Sequence, residues 1–98
     1  MHPVAVDPTL DVPAEYNDSL YRVYFEVGEW QNIARDAIID FLRERSRGHA
    51  TFQFESAALR ARAQGYEVDL PMQLIPEVVR ALAERNVAIY QVVRLERA

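Results

Sequence analysis

Alternating apolar and polar residues predict the first strand of the chain, at residues 20–27. Successive side chains of a strand point to opposite faces, so every second residue shares an environment. One face carries Tyr21, Val23, Phe25 and Val27, and the other carries Arg22, Tyr24 and Glu26. This pattern is typical of a half-buried strand.

A helical repeat follows the strand, which ends at Gly28. Apolar residues recur at spacings of three and one, which predicts one broad apolar helix face. The arginines at its end suit the negative C-terminal pole of a helix, and Gly48 suits the left-handed position after it. The apolar face consists of Trp30, Ile33, Ala34, Ala37, Ile38, Phe41 and Leu42, and only Ile39 falls outside it.

The remaining elements are predicted from similar patterns. Alternation predicts a second strand at 49–55 and a third at 66–70, and β-branched residues predict a last strand at 87–95. Ser56 could cap a short helix that Gly65 closes, although the segment has a single large apolar anchor. A second long helix begins near Ile75, with Asn86 as its C-terminal cap.

The order strand, helix, strand, strand, helix, strand predicts an α/β (α+β) fold, a ferredoxin-like two-layer sandwich. The alternative counts residues 56–64 as a full helix, which would give a small parallel sheet. We expect one domain at 19–98, preceded by an extended acidic leader at 1–18 that contains three prolines.

Composition narrows the possible functions. The chain has no cysteine, which excludes a disulfide scaffold and thiolate metal sites and fits a reducing cytoplasm. The net charge of −4 comes from the leader, which holds four acids and no arginine, while the other 80 residues balance 11 acids with 11 arginines. A neutral domain has no long-range field that would attract nucleic acid. No apolar run approaches the length of a membrane span, so we expect no membrane insertion.

Catalytic patterns are missing from the sequence. The two histidines, His2 and His49, provide no metal-ligand spacing, and the three glycines are too far apart for a phosphate cradle. The serines lack an elbow motif or a paired histidine. We therefore expect no catalytic residue, no metal and no cofactor, and we expect the protein not to be an enzyme. An enzyme that uses an unrecognised polar pocket is the remaining alternative.

Arginines form the strongest chemical signal. If the fold brings them together, they make a patch for phosphate, a nucleic-acid backbone or an acidic partner. The alternative is that they complement a helix end and pair with Glu44, Glu55 and Glu67. The residues of this predicted patch are Arg43, Arg45, Arg47, Arg60 and Arg62, with His49 beside them.

One face of the predicted sheet has no helix to cover it. An uncovered face with tyrosines and aliphatic side chains is a common interaction surface. We expect the partner to be a second copy of the chain or another protein, unless the leader covers the face instead. The residues predicted on this face are Tyr24, Tyr90, Val92 and Leu20.

The stretch from Tyr66 to Arg94 resembles the end of the C-terminal accessory domain of ABC-type exporter ATPases. In that family a Pro-Glu-hydrophobic-hydrophobic start and a Leu-Ala-Glu-x-Gly-Val turn lead into the closing strand. Asn86 stands at the usual glycine, and the family's Ser-Leu-Glu-Asp continuation is missing. The resemblance covers under a third of the chain and implies a ferredoxin-like accessory domain with no ATP site of its own. The matching residues are Pro76, Glu77, Val78, Val79, Leu82, Ala83, Glu84 and Val87.

Two functions follow from these observations. The first is a non-enzymatic interaction module, regulatory or accessory in role, that dimerises or binds a partner through its sheet. The alternative is a small dimeric nucleic-acid-binding protein that uses the arginine patch. Salt should weaken nucleic-acid binding steeply and an apolar sheet contact much less.

Overall fold

The computed structural model describes residues 19–48 and 52–97, so the predicted leader at 1–18 lies outside the described residues. One-turn 3₁₀ helices at Ser56–Ala58 and Met72–Leu74 precede the second strand and the second helix. The elements are β1 (Leu20–Val27), α1 (Ile33–Arg47), β2 (Arg60–Arg62), β3 (Gly65–Pro71), α2 (Ile75–Glu84) and β4 (Ile89–Arg97).

The four strands form one antiparallel sheet in the order β2-β3-β1-β4. Strand β1 lies at the centre, and each β–α–β unit contributes one central and one edge strand. This order, with two helices, is the ferredoxin-like two-layer sandwich. The predicted fold is therefore confirmed, and the alternative with a parallel sheet is wrong.

A single core joins the two helices to one face of the sheet. Val23, Phe25 and Val68 are fully buried on the strands. Ile38 and Leu42 of α1 and Val78 and Leu82 of α2 are buried against the same cluster. Since strand residues alternate between faces, the other face of the sheet carries no helix among the described residues. We call it the open face, and it includes Arg22, Tyr24 and Glu26 of β1.

Helix α1 begins later than the spacing predicted. Gln31 and Asn32 have left-handed backbones, with φ of 53° and 65°, and the Ile33 amide donates to the Trp30 carbonyl. Two successive positive φ values in a hydrogen-bonded four-residue turn correspond to type I′. Trp30 therefore lies before the helix and is 67% exposed, so its predicted place on the apolar helix face is wrong.

The C-terminal end of α1 and the burial of one isoleucine also differ from expectation. Gly48 has φ of −102°, so it does not occupy the predicted left-handed position. Ile39, which lies outside the apolar stripe, is only 4% exposed. The apolar face of α1 is thus wider than its helical repeat indicates.

The predicted second strand is wrong. Residues 52–55 belong to no strand, although Phe52 and Phe54 are buried in the core as expected for their alternation. Residues 49–51 lie outside the described part of the chain. The second strand is instead β2, within the segment for which a helix was considered, and Gly65 opens β3 rather than closing a helix. Phe52 and Phe54 are thus buried by a segment that is assigned to no strand.

The last helix agrees closely with the sequence, whereas the last strand begins and ends two residues later than the predicted 87–95. Asn86 has φ of 60°, the Val87 amide donates to the Leu82 carbonyl, and the Asn86 amide donates to the Ala83 carbonyl. These two hydrogen bonds constitute a Schellman motif, which confirms Asn86 as the left-handed cap. Strand β4 begins at Ile89 and contains two register irregularities, one at Tyr90 and one at Leu95.

Candidate interaction surface

One half of the open face is covered by ion pairs, and we call it the charged half. Its strands are β2 and β3, on which Glu67 accepts hydrogen bonds from Arg60 at 3.2 Å and from Arg62 at 2.6 Å. Arg60 also donates to Asp69 at 3.0 Å. The residues that define this half are Arg60, Arg62, Glu67 and Asp69.

The pairing continues onto β1 and β4. Arg22 donates to Asp69 at 3.3 Å and to Glu96 at 3.2 Å. One chain of alternating charges therefore crosses all four strands of the sheet. Glu67, whose side chain is 11% exposed, is its most deeply buried member. Burial acts to lower the pKa of Arg60, but Asp69 and Glu67 outweigh it, so this pKa lies above its ordinary value.

The other half of the open face contains apolar side chains, and we call it the apolar half. Tyr24 of β1 lies opposite Val93 of β4, and both are half-buried. Leu20 shares their face by strand alternation and is 36% exposed. The residues that define this half are Leu20, Tyr24, Tyr90 and Val93.

Tyr90 lies on the same side of the sheet as Gly28. Strand alternation continued past β1 puts the missing Cβ of Gly28 on the same side as Tyr24. A Cβ added there would lie 3.6 Å from the Tyr90 hydroxyl oxygen. The tyrosine ring therefore lies over Gly28 on the open face, where it is 67% exposed.

Val92 does not belong to this surface, contrary to the prediction. It lies opposite Phe25 and packs against the core on the helix side. Tyr90 is an extra residue between the paired positions Gln91 and Ile89, and such a bulge shifts the alternation beyond it by one residue. Val93 consequently takes the place that was predicted for Val92.

The structure divides the predicted arginine patch between two layers. Arg60 and Arg62 lie on the open face, whereas Arg43, Arg45 and Arg47 lie on α1 in the helix layer. Arg45 lies 3.5 Å from Glu77 of α2, and Arg47 pairs with Glu44. Arg43 is exposed, and His49 lies outside the described residues. The predicted salt pairs with Glu44 and Glu67 are therefore present.

A hydrogen-bond cluster around Glu29 holds the start of α1. The Glu29 carboxylate accepts hydrogen bonds from the amides of Ala34 and Arg35, each at 2.9 Å, which are helix N–H groups without partners inside the helix. It also accepts the Trp30 amide at 2.9 Å and the Tyr66 hydroxyl at 2.6 Å. Both carboxylate oxygens are thus fully used in fixing the turn and the helix end.

The ionisation of this cluster follows from its contacts. Burial acts to raise the pKa of Glu29, but the hydrogen bonds from Tyr66 and the three amides outweigh it and hold this pKa below its ordinary value. Burial, together with the hydrogen bond to Glu29 and its charge, raises the pKa of Tyr66 to about 12. The Glu29 carboxylate and the Tyr66 hydroxyl therefore stay charged and neutral, respectively, near neutral pH.

An open cleft of about 420 Å³ lies beside Glu29 and Tyr66, next to the β2–β3 hairpin. Its other lining residues are Val27 and residues 61–65. Sequence reasoning missed this cluster, because Glu29 and Tyr66 are 37 positions apart and their contact leaves no local pattern. The signal that could have found it is an acidic residue two positions before the turn-forming pair Gln31–Asn32.

Neither a metal cluster nor a membrane-spanning helix occurs in the described part of the chain. Within 19–48 and 52–97, no three histidine or acidic side chains gather closely enough to hold a metal ion. No helix in these ranges is both long and apolar enough to cross a membrane.

Comparison with protein-family models, with curated proteins and with solved structures finds no significant match to this chain.

Proposed function

We propose that this protein is a non-enzymatic interaction module that binds a protein partner through the apolar half of its open face. The observation that supports this proposal is the position of Tyr24 and Val93, register partners on β1 and β4 that lie on a sheet face without a helix over it among the described residues. Tyrosines and aliphatic side chains gathered on one face provide apolar area that a partner can bury.

The surrounding side chains support the same role. Leu20 and Tyr90 extend the apolar area along the strands, while Arg22 and Glu96 border it with opposite charges. Such a mixture of apolar centre and paired polar rim is typical of protein interfaces. The role also agrees with an accessory domain of the kind that the exporter resemblance implies, and a chain without cysteine fits the cytoplasm as its compartment.

Nucleic-acid binding stays an alternative prediction without separate support. Four of the five arginines in the predicted patch already lie within 4 Å of a carboxylate: Arg45, Arg47, Arg60 and Arg62. A phosphate would have to displace these partners.

Thiol protection tests the proposed surface with any partner that the source cells contain. Because the chain has no cysteine, Val93→Cys and Ala83→Cys each introduce a single thiol, one on the apolar half and one on the exposed side of α2. Both full chains, kept dilute enough to be monomeric in buffer, are alkylated with a maleimide in buffer and in concentrated extract of the source cells. We expect alkylation at position 93 to slow in extract by about tenfold relative to position 83, because a bound partner excludes the reagent. Equal relative rates in buffer and extract would contradict the proposal.

A further inference from the structure

We infer that the partner of the apolar half is a second copy of this chain, packed face to face about a two-fold axis that runs along the strands between β1 and β4. This inference rests on the proposed function and names the partner of that same surface. It follows from which side chains each possible axis would bring together.

A two-fold axis across the strands would stack every strand on its own copy. The open face of β3 carries Glu67 and Asp69, and that of β2 carries Arg60 and Arg62. Such an axis therefore puts acids over acids and arginines over arginines. Like charges placed together inside an interface disfavour association strongly, so this is not the axis that we infer.

An axis along the strands instead stacks a strand on a different strand of the copy. If the axis lies between β1 and β4, β1 of each copy lies over β4 of the other copy. Residues that are register partners within one chain then lie at the same height along the strands. Tyr24 then lies opposite Val93 of the second copy, and Val93 opposite its Tyr24, because the two residues are register partners within one chain. Sheets that pack face to face lie about 10 Å apart, close enough for these side chains to interdigitate.

Charges become complementary in the same arrangement. Arg22 and Glu96 are register partners within the chain and 3.2 Å apart. Across the axis, Arg22 of each copy faces Glu96 of the other, which produces an alternating ring of four charges. Glu26 and Gln91 are hydrogen-bonded at 2.8 Å within the chain. In the dimer, Glu26 of each copy likewise faces Gln91 of the other. Any complementary pair across β1 and β4 therefore stays complementary in the dimer.

The position of the axis leaves the charged half outside the contact. An axis between β3 and β1 would press Arg60 of β2 onto Val93 of the second copy. Arg60 already has Glu67 and Asp69 as partners, and burying this group under an apolar surface would cost desolvation without a new bond. With the axis between β1 and β4, the charged half stays in water at the edge of the dimer.

A charge exchange tests this arrangement. Arg22 also donates to Asp69, so all chains carry Asp69→Asn to remove that second contact. One chain is otherwise unchanged, and the other carries Arg22→Glu with Glu96→Arg, which keeps the pair within the chain. Both carry Ala83→Cys for donor and acceptor dyes, and Förster transfer measures self-association and mixed association. We expect each chain to associate with itself to within about threefold, and mixed pairs to form at least about tenfold less readily.

A second pair of chains keeps the test valid if the exchanged chain folds poorly. Chains with Tyr24→Glu and chains with Val93→Arg should each associate weakly alone. Their mixture should associate more tightly than either, since it restores one Tyr24–Val93 contact and adds one Glu–Arg contact.

The outcomes separate the two proposals. Equal mixed association in the charge exchange, together with no gain in the second mixture, would overturn the arrangement. Chains that stay monomeric while position 93 is protected in extract would overturn the second copy as partner and leave the proposed function standing. Monomeric chains without protection would overturn both.

Discussion

The two halves of the open face differ in whether their side chains find partners within the same chain. In the charged half, Arg60, Arg62, Glu67 and Asp69 find partners within the same chain. In the apolar half, Tyr90 is 67% exposed and Tyr24 and Val93 are half-buried, so apolar area remains in contact with water. One sheet surface thus contains a region whose charged groups are paired within the chain and a region whose apolar side chains stay partly exposed among the described residues.

The ion pairs show the same difference in their exposure. Glu67 is held by two guanidinium groups and its side chain is 11% exposed, whereas Arg22 and Glu96 are 37% and 62% exposed. Exposed pairs contribute little because water screens them and their side chains lose entropy. We therefore expect the charged half to stabilise the fold and the Arg22–Glu96 pair to matter mainly in association.

The largest effect is expected from a substitution at the contact between β3 and β1, where the two halves meet. In Gly65→Ala the new Cβ would overlap the carbonyl group of Phe25, which would force β3 away from β1. We expect the free energy of unfolding to fall by about 3 kcal/mol, measured by urea denaturation. Gly48→Ala is the control, because nothing lies within 4 Å of its added Cβ and its φ is negative. Equal losses in the two variants would show that the close approach has no energetic role.

The same substitution in the two halves compares them directly. Glu67→Ala leaves Arg60 and Arg62 without their shared acceptor in a partly buried site, and we expect a loss of about 2 kcal/mol in unfolding free energy. Glu96→Ala, in the exposed pair, should cost under about 0.5 kcal/mol in the monomer. Denaturation at a concentration below that of self-association measures both. A larger loss for Glu96→Ala would reverse the comparison.

The Glu29–Tyr66 cluster gives stability a predictable pH dependence. The folded pKa of Tyr66 is about 12, above the ordinary value of 10.0, so this contribution is present below pH 10 and is lost as pH rises toward 12. The pKa of Glu29 is lowered instead, so its contribution is present above its ordinary value of 4.5 and is lost as pH falls through the lowered value.

Tyr66→Phe tests the alkaline part of this prediction. Removal of the hydroxyl should lower the free energy of unfolding near neutral pH by about 1.5 kcal/mol, since the hydrogen bond is made to a charged acceptor. The variant should also lose part of the decline in stability between pH 10 and 12, measured by urea denaturation across that range. Tyr90→Phe is the control, because it removes the hydroxyl of an exposed tyrosine. An unchanged alkaline decline in Tyr66→Phe would contradict the assignment.

The smallest effect is expected in the helix layer. Arg47 pairs with Glu44 three residues earlier, and their side chains are 71% and 72% exposed. Arg47→Ala should therefore change the unfolding free energy by less than about 0.5 kcal/mol and leave association unchanged. A marked loss of association would place the contact surface in the helix layer rather than on the sheet.

Much of the fold could be predicted because its main elements have regular patterns. Strand β1 alternates without interruption, and α2 has a clear apolar face between Pro76 and the Asn86 cap. Strand β2 could not be found in this way, because Arg-Ala-Arg contains no apolar alternation. Its pairing depends on contacts across the sheet, such as Arg60 with Glu67, which are not visible in local sequence.

The residues of the open face were predicted in part. Leu20, Tyr24 and Tyr90 lie on the open face as expected, but Val92 does not, because the bulge at Tyr90 shifts the alternation of β4. A bulge has no reliable local signature, so a period of two was carried through it. The turn at Gln31 and Asn32 removed Trp30 from the predicted helix, whereas Ala34, Ala37, Ile38 and Leu42 beyond the turn are buried as predicted.

The two bulges of β4 also bear on aggregation. Among the described strands β4 is an edge, with β1 as its neighbour. A long, regular edge presents a continuous row of backbone donors and acceptors on which further strands can add without limit, as in amyloid fibres. The extra residues at Tyr90 and Leu95 interrupt that row near both ends of the strand. Growth of a fibre along this edge is thereby obstructed, and concentrated solutions of the chain should remain free of thioflavin-positive fibres.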